Sequence, residues 1–252
     1  MPRLELPIAL ILLLAGCAST GDEPRPVNTD STQVSGDGRT NLTVGQSYLE
    51  SGKLDKARDR IDAALRSDPN SAEAHALRAL LHEREGETEK AGREFDRALK
   101  LAPTDGEVLN AHAVWLCEHG RAEQADREFL LALADKNYRR PMQALANAGK
   151  CATSAGVLAK AEDYLRRALV FGPEDKVLLY LLADLELRQD KILEAQAFIQ
   201  RRDALGADAK TLDLAARIEQ AAGNAQGAAR YQQRLHDEFP EFVSTGEGTR
   251  SP

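Results

Sequence analysis

A repeat with a period of 34 residues is the strongest constraint on how this chain of 252 residues can fold. The segment from Tyr48 to Pro69 aligns without a gap on the segment from His82 to Pro103. Every matched position is 34 residues apart, as in Gly52 with Gly86, Ala57 with Ala91, Ile61 with Phe95, and Ala64 with Ala98. A fixed period of roughly 20 to 50 residues is typical of architectures in which each unit buries its apolar face by stacking on its neighbours.

The composition and the repeated positions favour pairs of closely packed helices. Aromatic residues make up only 5% of the chain, and alanine is abundant. Alanines at a helix crossing let two backbones approach, and a larger apolar residue one turn later fills the groove between them. A proline at the end of the unit stops the second helix. We therefore expect each unit to consist of two helices joined by a glycine turn.

This pattern resembles the tetratricopeptide repeat, and the same register continues along the chain. It predicts six units between residues 38 and 241, with two residues inserted between units three and four. The sixth unit is degenerate, and we expect it to cap the apolar end. The resemblance implies an all-α, right-handed superhelical solenoid. Residues 242–252 are expected to form a frayed tail.

The amino terminus indicates export. Arg3 precedes an apolar run from Leu6 to Ala15, which is too short to span a bilayer as a helix. The next residues, Leu14-Ala15-Gly16-Cys17, resemble the bacterial lipobox, in which the cysteine becomes the lipidated first residue of the mature protein. The resemblance implies a lipoprotein signal peptide at residues 1–16. The alternative is an ordinary cleaved signal followed by an incidental cysteine.

The residues after Cys17 indicate a flexible tether and the membrane in which the protein resides. Residues 17–37 are rich in Ser, Thr, Gly, Pro and Asp, and they contain too little apolar surface to fold, so we expect a flexible tether. Bacterial lipoproteins with Asp after the lipidated cysteine stay in the inner membrane. Because Ala18 occupies that place, we expect the protein on the periplasmic face of the outer membrane, held by its lipid anchor.

In the tetratricopeptide fold the first helix of each unit lines the concave groove. The register places these residues on that surface and predicts a protein-binding groove: Leu42, Gln46, Leu49, Ala76, Leu80, Glu83, Asn110 and Val114. It also places Cys117 on this surface, and Ala146, Lys150, Tyr180, Asp184 and Leu187 on the first helices of units four and five. The leucines of the first unit have no obvious intramolecular partner, so they are expected either to bind a partner helix or strand, or to contact the neighbouring unit or the tether.

Two cysteines remain, Cys117 and Cys151, on the first helices of adjacent units. Both would be exported to an oxidising compartment, where a disulfide could staple the repeat at the two-residue insertion. We expect that disulfide. The alternative is a pair of buried thiols that behave as small apolar residues.

At residues 108–156 the chain resembles a narrower family, the PilF and PilW pilotins, which are lipoproteins of type IV pilus biogenesis. The matching residues are Leu109-Asn110, Leu116-Cys117, Gly120, Phe129, Tyr138, Pro141, Ala144, Asn147-Ala148-Gly149 and Cys151. The sequence departs from the family at Ala111-His112-Ala113, where Asn-Tyr-Gly is common. The resemblance implies a non-enzymatic adaptor that binds the type IV pilus secretin and promotes its outer-membrane localisation and multimerisation.

Other functions have weaker support in the sequence. The net charge of −7 and the lack of a basic block argue against nucleic acid as a partner. His75 with His82, and His112 with His119, are seven residues apart, which is about 10 Å of helix rise and too far for one metal ion. We expect no enzyme activity, metal, cofactor or small-molecule substrate. The main alternative is a periplasmic tetratricopeptide lipoprotein that serves outer-membrane protein assembly or peptidoglycan enzymes.

Overall fold

The computed structural model describes residues 36–242, and this part of the chain contains twelve α-helices and no β-strand. In chain order the helices are α1 (Gly36–Glu50), α2 (Leu54–Ser67), α3 (Ala72–Arg84), α4 (Thr88–Leu101), α5 (Gly106–Glu118), α6 (Ala122–Ala134), α7 (Pro141–Ser154), α8 (Leu158–Phe171), α9 (Lys176–Arg188), α10 (Ile192–Ala204), α11 (Ala209–Ala221) and α12 (Ala225–Glu238).

Several predictions concern residues outside this range. The predicted signal peptide at residues 1–16 and the predicted lipidation site Cys17 lie outside the described residues, as do nearly all of the predicted tether at residues 17–37 and of the predicted tail at residues 242–252. Of the predicted tether only Gly36 and Asp37 are described, and both belong to α1. The first helix therefore begins two residues before the expected start of the repeats.

The helices form six consecutive pairs. Each odd-numbered helix packs against the even-numbered helix that follows it, and also against the next odd-numbered helix. The first helices of successive units therefore lie side by side, because every unit stacks on its neighbour in the same way. This arrangement confirms the all-α tetratricopeptide solenoid that the 34-residue period predicts.

The turn inside each unit requires a residue in the left-handed backbone conformation. Glycine supplies it in five units, with φ between 71° and 77°. In the fifth unit Asp190 takes this place with φ of 58°. Aspartate is one of the few non-glycine residues that adopt this conformation, because its short side chain can hydrogen-bond locally. The fifth unit therefore keeps the turn without its glycine.

The core lies between the two helices of each unit. The second helices of the first five units place a fully buried alanine at the crossing, and a buried Ile, Phe or Leu follows one turn later. These larger residues are Ile61, Phe95, Phe129, Leu165 and Ile199. The exposed Gln232 has the equivalent position in α12. The apolar core therefore ends at the sixth unit, as expected for a capping repeat.

The insertion between units three and four is present in the structure. Six residues connect α6 to α7, whereas four connect α4 to α5. Asp135 in this connection accepts a hydrogen bond of 2.9 Å from the backbone N–H of Gly106. A Cβ atom at residue 106 would lie 2.6 Å from the Cβ atom of Tyr138, so the loop packs directly on the start of α5. The longer connection is thus fixed to the third unit.

Candidate protein-binding groove

The first helices of units one to four line a groove with a volume of about 480 Å³. Helices α1, α3, α5 and α7 each contribute residues to its wall. All eight residues that the register assigns to a groove lie along it: Leu42, Gln46, Leu49, Ala76, Leu80, Glu83, Asn110 and Val114. The residues that the repeat period assigns to a groove are therefore brought together on three successive helices.

The leucines of the first unit differ from expectation. Leu42 is only 7% exposed and Leu49 only 5%, so the expected exposed leucine stripe is wrong. Both leucines pack in a cluster with Ile61, Leu77 and Leu81, at the seam between the first two units. Of the two interpretations open at the sequence level, contact with the neighbouring unit is the correct one for Leu42 and Leu49.

The open apolar surface of the groove comes from the second and third units. Leu80 on α3, with Ala111 and Val114 on α5, are partly buried and line the groove. Beside them the buried Asn110 accepts a hydrogen bond of 3.2 Å from the side-chain amide of Asn147 on α7. The floor is thus apolar in its middle and closed at α7 by a pair of amides.

The edge of the groove at the N-terminal ends of the helices holds balanced charges. Arg39, Glu73, Glu107 and Arg140 line it. The guanidinium of Arg140 donates two hydrogen bonds to the carboxylate of Glu107, one of them 3.0 Å long from Nε. Arg140 and Glu107 form an ion pair, and the pKa of Arg140 is raised by it. Two acids and two bases therefore face each other at this N-terminal edge.

Glu73 is the unusual member of the N-terminal edge. Its side chain is open to the groove, yet the protein on either side displaces enough water to raise the pKa of its carboxyl. The negative charges of Asp105 and Glu107 raise this pKa further, whereas Arg39 and Arg140 lower it. The charge of Glu73 is therefore only partly compensated.

The opposite edge, at the C-terminal ends of the helices, is acidic. Glu50 ends α1, Glu118 ends α5, and Glu83 is the penultimate residue of α3. Neither α1 nor α5 has a basic residue in its last turn. An acid at this end of a helix is unfavourable by about 0.3–1 kcal/mol, because the terminal carbonyl groups are already partly negative. We call these three residues the acidic edge.

Two ring side chains, Trp115 and His119, contact the acidic edge at Glu83. The indole N–H of Trp115 donates a hydrogen bond of 2.8 Å to Glu83, and a ring nitrogen of His119 lies 3.5 Å from the same carboxylate. The guanidinium of Arg121 lies 4.6 Å from the centroid of the Trp115 ring. Trp115 is the single tryptophan of the chain. Its indole is bonded to Glu83, which lines the groove.

A disulfide joins the third and fourth units beside the groove. Cys117 on α5 and Cys151 on α7 are bonded, with their Cα atoms 5.8 Å apart. Both residues lie in the last half of their helices, and Cys117 immediately precedes Glu118 of the acidic edge. The disulfide therefore holds two walls of the groove together, and the alternative of two separate buried thiols does not apply.

Some groove residues were missed by sequence reasoning. On α7 the register pointed to Ala146 and Lys150, whereas Gln143 and Asn147 line the groove. The signal for Gln143 was available, because it follows Glu107 by 36 residues, as the inserted register requires. Tyr180, Asp184 and Leu187 on α9 are not among the residues that line this groove.

Four histidines of the described residues, His75, His82, His112 and His119, lie within ion-pair distance of a carboxylate. His75 lies 2.6 Å from Glu94, and His112 lies 2.7 Å from Glu128. His82, Glu85 and Glu87 place one ligand atom each within 4.8 Å of one another. Arg58 and Lys90 already form ion pairs with these two carboxylates. The charges of the group are thus neutralised by side chains of the protein.

Within residues 36–242, no helix is both long and apolar enough to cross a membrane. This finding concerns the repeats alone.

Comparison with known proteins gives consistent similarities. The family profile of the tetratricopeptide repeat matches residues 42–106. The type IV pilus assembly protein PilF of Pseudomonas aeruginosa is 35% identical over 81 residues, and this alignment covers 31% of either chain. The aligned segment therefore spans about a third of that curated relative.

Two solved structures are similar over most of the repeat region. The crystal structure of PilW, described as a widely conserved type IV pilus biogenesis factor, has a TM-score of 0.75 and 27% identity. It covers 82% of this chain and 96% of the PilW chain. A structure of PilF from Pseudomonas aeruginosa has a TM-score of 0.70 and 26% identity, and covers 82% of this chain and 93% of that one.

Proposed function

Because this chain belongs to the PilF and PilW family of tetratricopeptide-repeat proteins in type IV pilus biogenesis, we propose that it is a pilotin. In this proposal it binds the outer-membrane secretin of the type IV pilus. It then promotes the outer-membrane localisation of the secretin and its assembly into multimers, which pilus biogenesis requires.

The groove is the observation that carries the proposal. It extends over the first helices of four units, has an apolar floor, and belongs to a solenoid similar to PilW over 96% of the PilW chain. Repeat solenoids use such concave surfaces to bind extended or helical segments of other proteins. We propose that the part of the groove around Leu80 and Val114 contacts the secretin.

The sequence before the repeats supports the outer-membrane location in this proposal. The lipobox ending at Cys17 would supply a lipid anchor, and Ala18 agrees with sorting to the outer membrane. The polar residues that follow would let the solenoid work away from the membrane surface. Anchor, tether and groove together would bring a bound secretin subunit to the membrane in which it assembles.

Binding rather than catalysis suits the chemistry of the groove. Among the described residues that line it there is no Ser, Cys or His, and the polar groups are a threonine hydroxyl, amides, carboxylates and guanidinium groups. Such side chains are the ones that recognise the backbone and charges of a peptide. The adaptor role needs no chemistry beyond this recognition.

Two substitutions on the open floor test the proposal. Leu80→Asp and Val114→Asp place a charge on partly exposed positions, so we expect each to reduce capture of purified secretin by the full chain at least about tenfold, as loss of an interface anchor does. Circular dichroism is expected to show unchanged helix content. The control is Leu193→Asp on α10, a residue that is 78% exposed and does not line the groove.

Leu42 and Leu49 are unsuitable for this experiment, since both are buried and a charge there would unfold the first unit. Undiminished capture by folded Leu80→Asp and Val114→Asp proteins would place the secretin site elsewhere.

A further inference from the structure

The two edges of the groove differ in charge. The N-terminal edge pairs Arg39 and Arg140 with Glu73 and Glu107. The acidic edge has Glu50, Glu83 and Glu118, and Arg84 is the one base that the described groove lining adds there. One long side of the groove is therefore close to neutral, and the other is negative.

The partners of the acidic edge do not remove its charge. Glu50 accepts a hydrogen bond of 2.9 Å from the side-chain amide of Gln46, which is a neutral donor. Glu83 accepts from the indole of Trp115, also neutral, and lies 3.5 Å from His119. Among the residues that the structure describes, Glu118 has neither an ion pair nor a side-chain hydrogen bond. A neutral donor orients a carboxylate but leaves its negative charge in place.

The helix backbones add to the negative electrostatic potential of the acidic edge. The C-terminal ends of α1, α3 and α5 meet along the acidic edge, and each carries partial negative charge on its last carbonyl groups. Three carboxylates and three helix ends therefore attract cations to one side of an apolar floor. The α7 helix, which closes the groove, also has no basic residue in its last turn.

We propose that the groove recognises a partner segment that presents apolar side chains to the floor and Lys or Arg side chains to the acidic edge. The proposed function supplies the identity of that partner, so for the secretin the inference rests on it. The apolar contacts are made with Leu80, Ala111 and Val114, and the cations lie beside Glu50 and Glu118. The difference in charge between the two edges determines which side of the segment carries its cations.

Charge argues against two other occupants. Residues 17–35 of this chain carry three acids, Asp22, Glu23 and Asp30, against the single base Arg25, so this segment would be repelled by the acidic edge. A second copy of the chain is also a poor match, because its net charge is −7. A cationic segment of another protein gives complementary charges.

A direct test uses three synthetic peptides of twelve residues with the same apolar centre. One has two lysines at each end, and in the other two peptides these lysines are replaced by glutamates or by serines. Binding to the full chain in non-ionic detergent is followed by anisotropy of a labelled peptide. Fluorescence of Trp115 gives a second readout, because its indole is bonded to Glu83 in the groove.

We expect the lysine peptide to bind at least about tenfold more tightly than the glutamate peptide, and its affinity to fall as salt is raised. The double variant Glu50→Gln and Glu118→Gln is expected to weaken binding of the lysine peptide about fivefold or more, while binding of the serine peptide is unchanged. The control is Glu89→Gln on α4, an exposed acid that does not line the groove.

Equal affinity for the three peptides, or unchanged binding of the lysine peptide to the double variant, would overturn the inference. So would dimerisation of the chain that is lost in Leu80→Asp, since a second copy would then occupy the groove. Improved peptide binding after deletion of residues 18–35 would likewise identify the chain's own segment as the occupant.

The same variants separate this inference from the proposed function. If purified secretin is captured equally well by the wild type and by the double Gln variant at every salt concentration, the inference is wrong and the pilotin proposal stands. If the lysine peptide binds as expected and secretin is not captured, the cation-selective groove stands and the secretin proposal is wrong.

Discussion

Two glycines of the second repeat have opposite effects on stability. Gly86 forms the turn between α3 and α4 with φ of 77°, in open space. Gly92 lies inside α4, where a Cβ atom would be 3.4 Å from the ring of Trp115, an ordinary contact distance. Only Gly86 needs the conformational freedom of glycine. At position 92, glycine lowers the helix propensity of α4 relative to alanine.

We therefore expect Gly86→Ala to lower the free energy of unfolding by about 1–2 kcal/mol, the cost of a left-handed alanine. Gly92→Ala should raise it by about 0.5–1 kcal/mol. Urea unfolding followed by circular dichroism measures both variants. Stabilisation by Gly86→Ala would show that the turn does not require its left-handed residue.

Glu162 in α8 lies in a network of charged side chains that lowers its pKa. Hydrogen bonds from Lys191, Arg166 and Gln189 lower its pKa to about 2, and the strongest effect comes from Lys191. Next to it, the fully buried Glu186 receives a hydrogen bond of 2.6 Å from Arg166. Burial and the charge of Glu162 raise the pKa of Glu186. These four charged groups connect the fourth and fifth units.

The depressed pKa of Glu162 makes stability depend on pH. The folded state holds the ionised carboxylate, so its contribution is complete above the ordinary pKa of 4.5 and is lost as the pH falls toward 2. We expect Glu162→Gln to lower the free energy of unfolding at pH 7 by about 1 kcal/mol, as for a partly exposed ion-pair network. The difference should disappear near pH 2. A constant difference between pH 7 and pH 2 in urea titrations would contradict this account.

At the level of helices, the disulfide stabilises the contact between α5 and α7. It closes a loop with a sequence separation of 34 residues, which contains the whole of α6 and the longer connection after it. Asp126 of α6, inside this loop, also accepts hydrogen bonds from Lys160 and Tyr164 of α8, at 2.8 and 2.7 Å. The region around the two-residue insertion between units three and four is thus held both by a disulfide and by hydrogen bonds.

Reduction of this disulfide should lower the free energy of unfolding by about 2–4 kcal/mol, because the unfolded chain regains the freedom of the closed loop. Urea unfolding with and without dithiothreitol measures the difference. The matched control is the double variant Cys117→Ser and Cys151→Ser, whose stability should not respond to dithiothreitol. An equal response of the control would show that the effect arises elsewhere.

The helices also show what the sequence could and could not predict. The period of 34 residues predicted the helix pairs, and it placed the eight predicted groove residues on one face of the first helices, because a repeat fixes which face each residue occupies. The period did not predict how deeply each side chain is buried. Leu42 and Leu49 lie on the predicted helix face, but they are buried at a seam between units. The pairs Glu107 with Arg140 and Glu83 with Trp115 join residues 33 and 32 positions apart, so the repeat alone does not reveal them.

For the whole molecule, the proposed function depends on properties that arise only when the units stack. The acidic edge is the sum of side chains and helix ends from three different repeats, and no single repeat shows it. The fold itself follows from nearest-neighbour stacking, which is why one period predicted six units. The anchor at Cys17 and the tether remain predictions from residues before the solenoid.

The central claim, that this protein is a pilotin for the type IV pilus secretin, is tested most directly in a strain that lacks its gene. Inner and outer membranes are separated, and the secretin is examined as a detergent-resistant multimer. We predict that multimers disappear and secretin monomers collect in the inner membrane, and that the wild-type gene restores both. Multimers that persist in the outer membrane would contradict the claim and favour a scaffold for outer-membrane protein assembly or peptidoglycan enzymes.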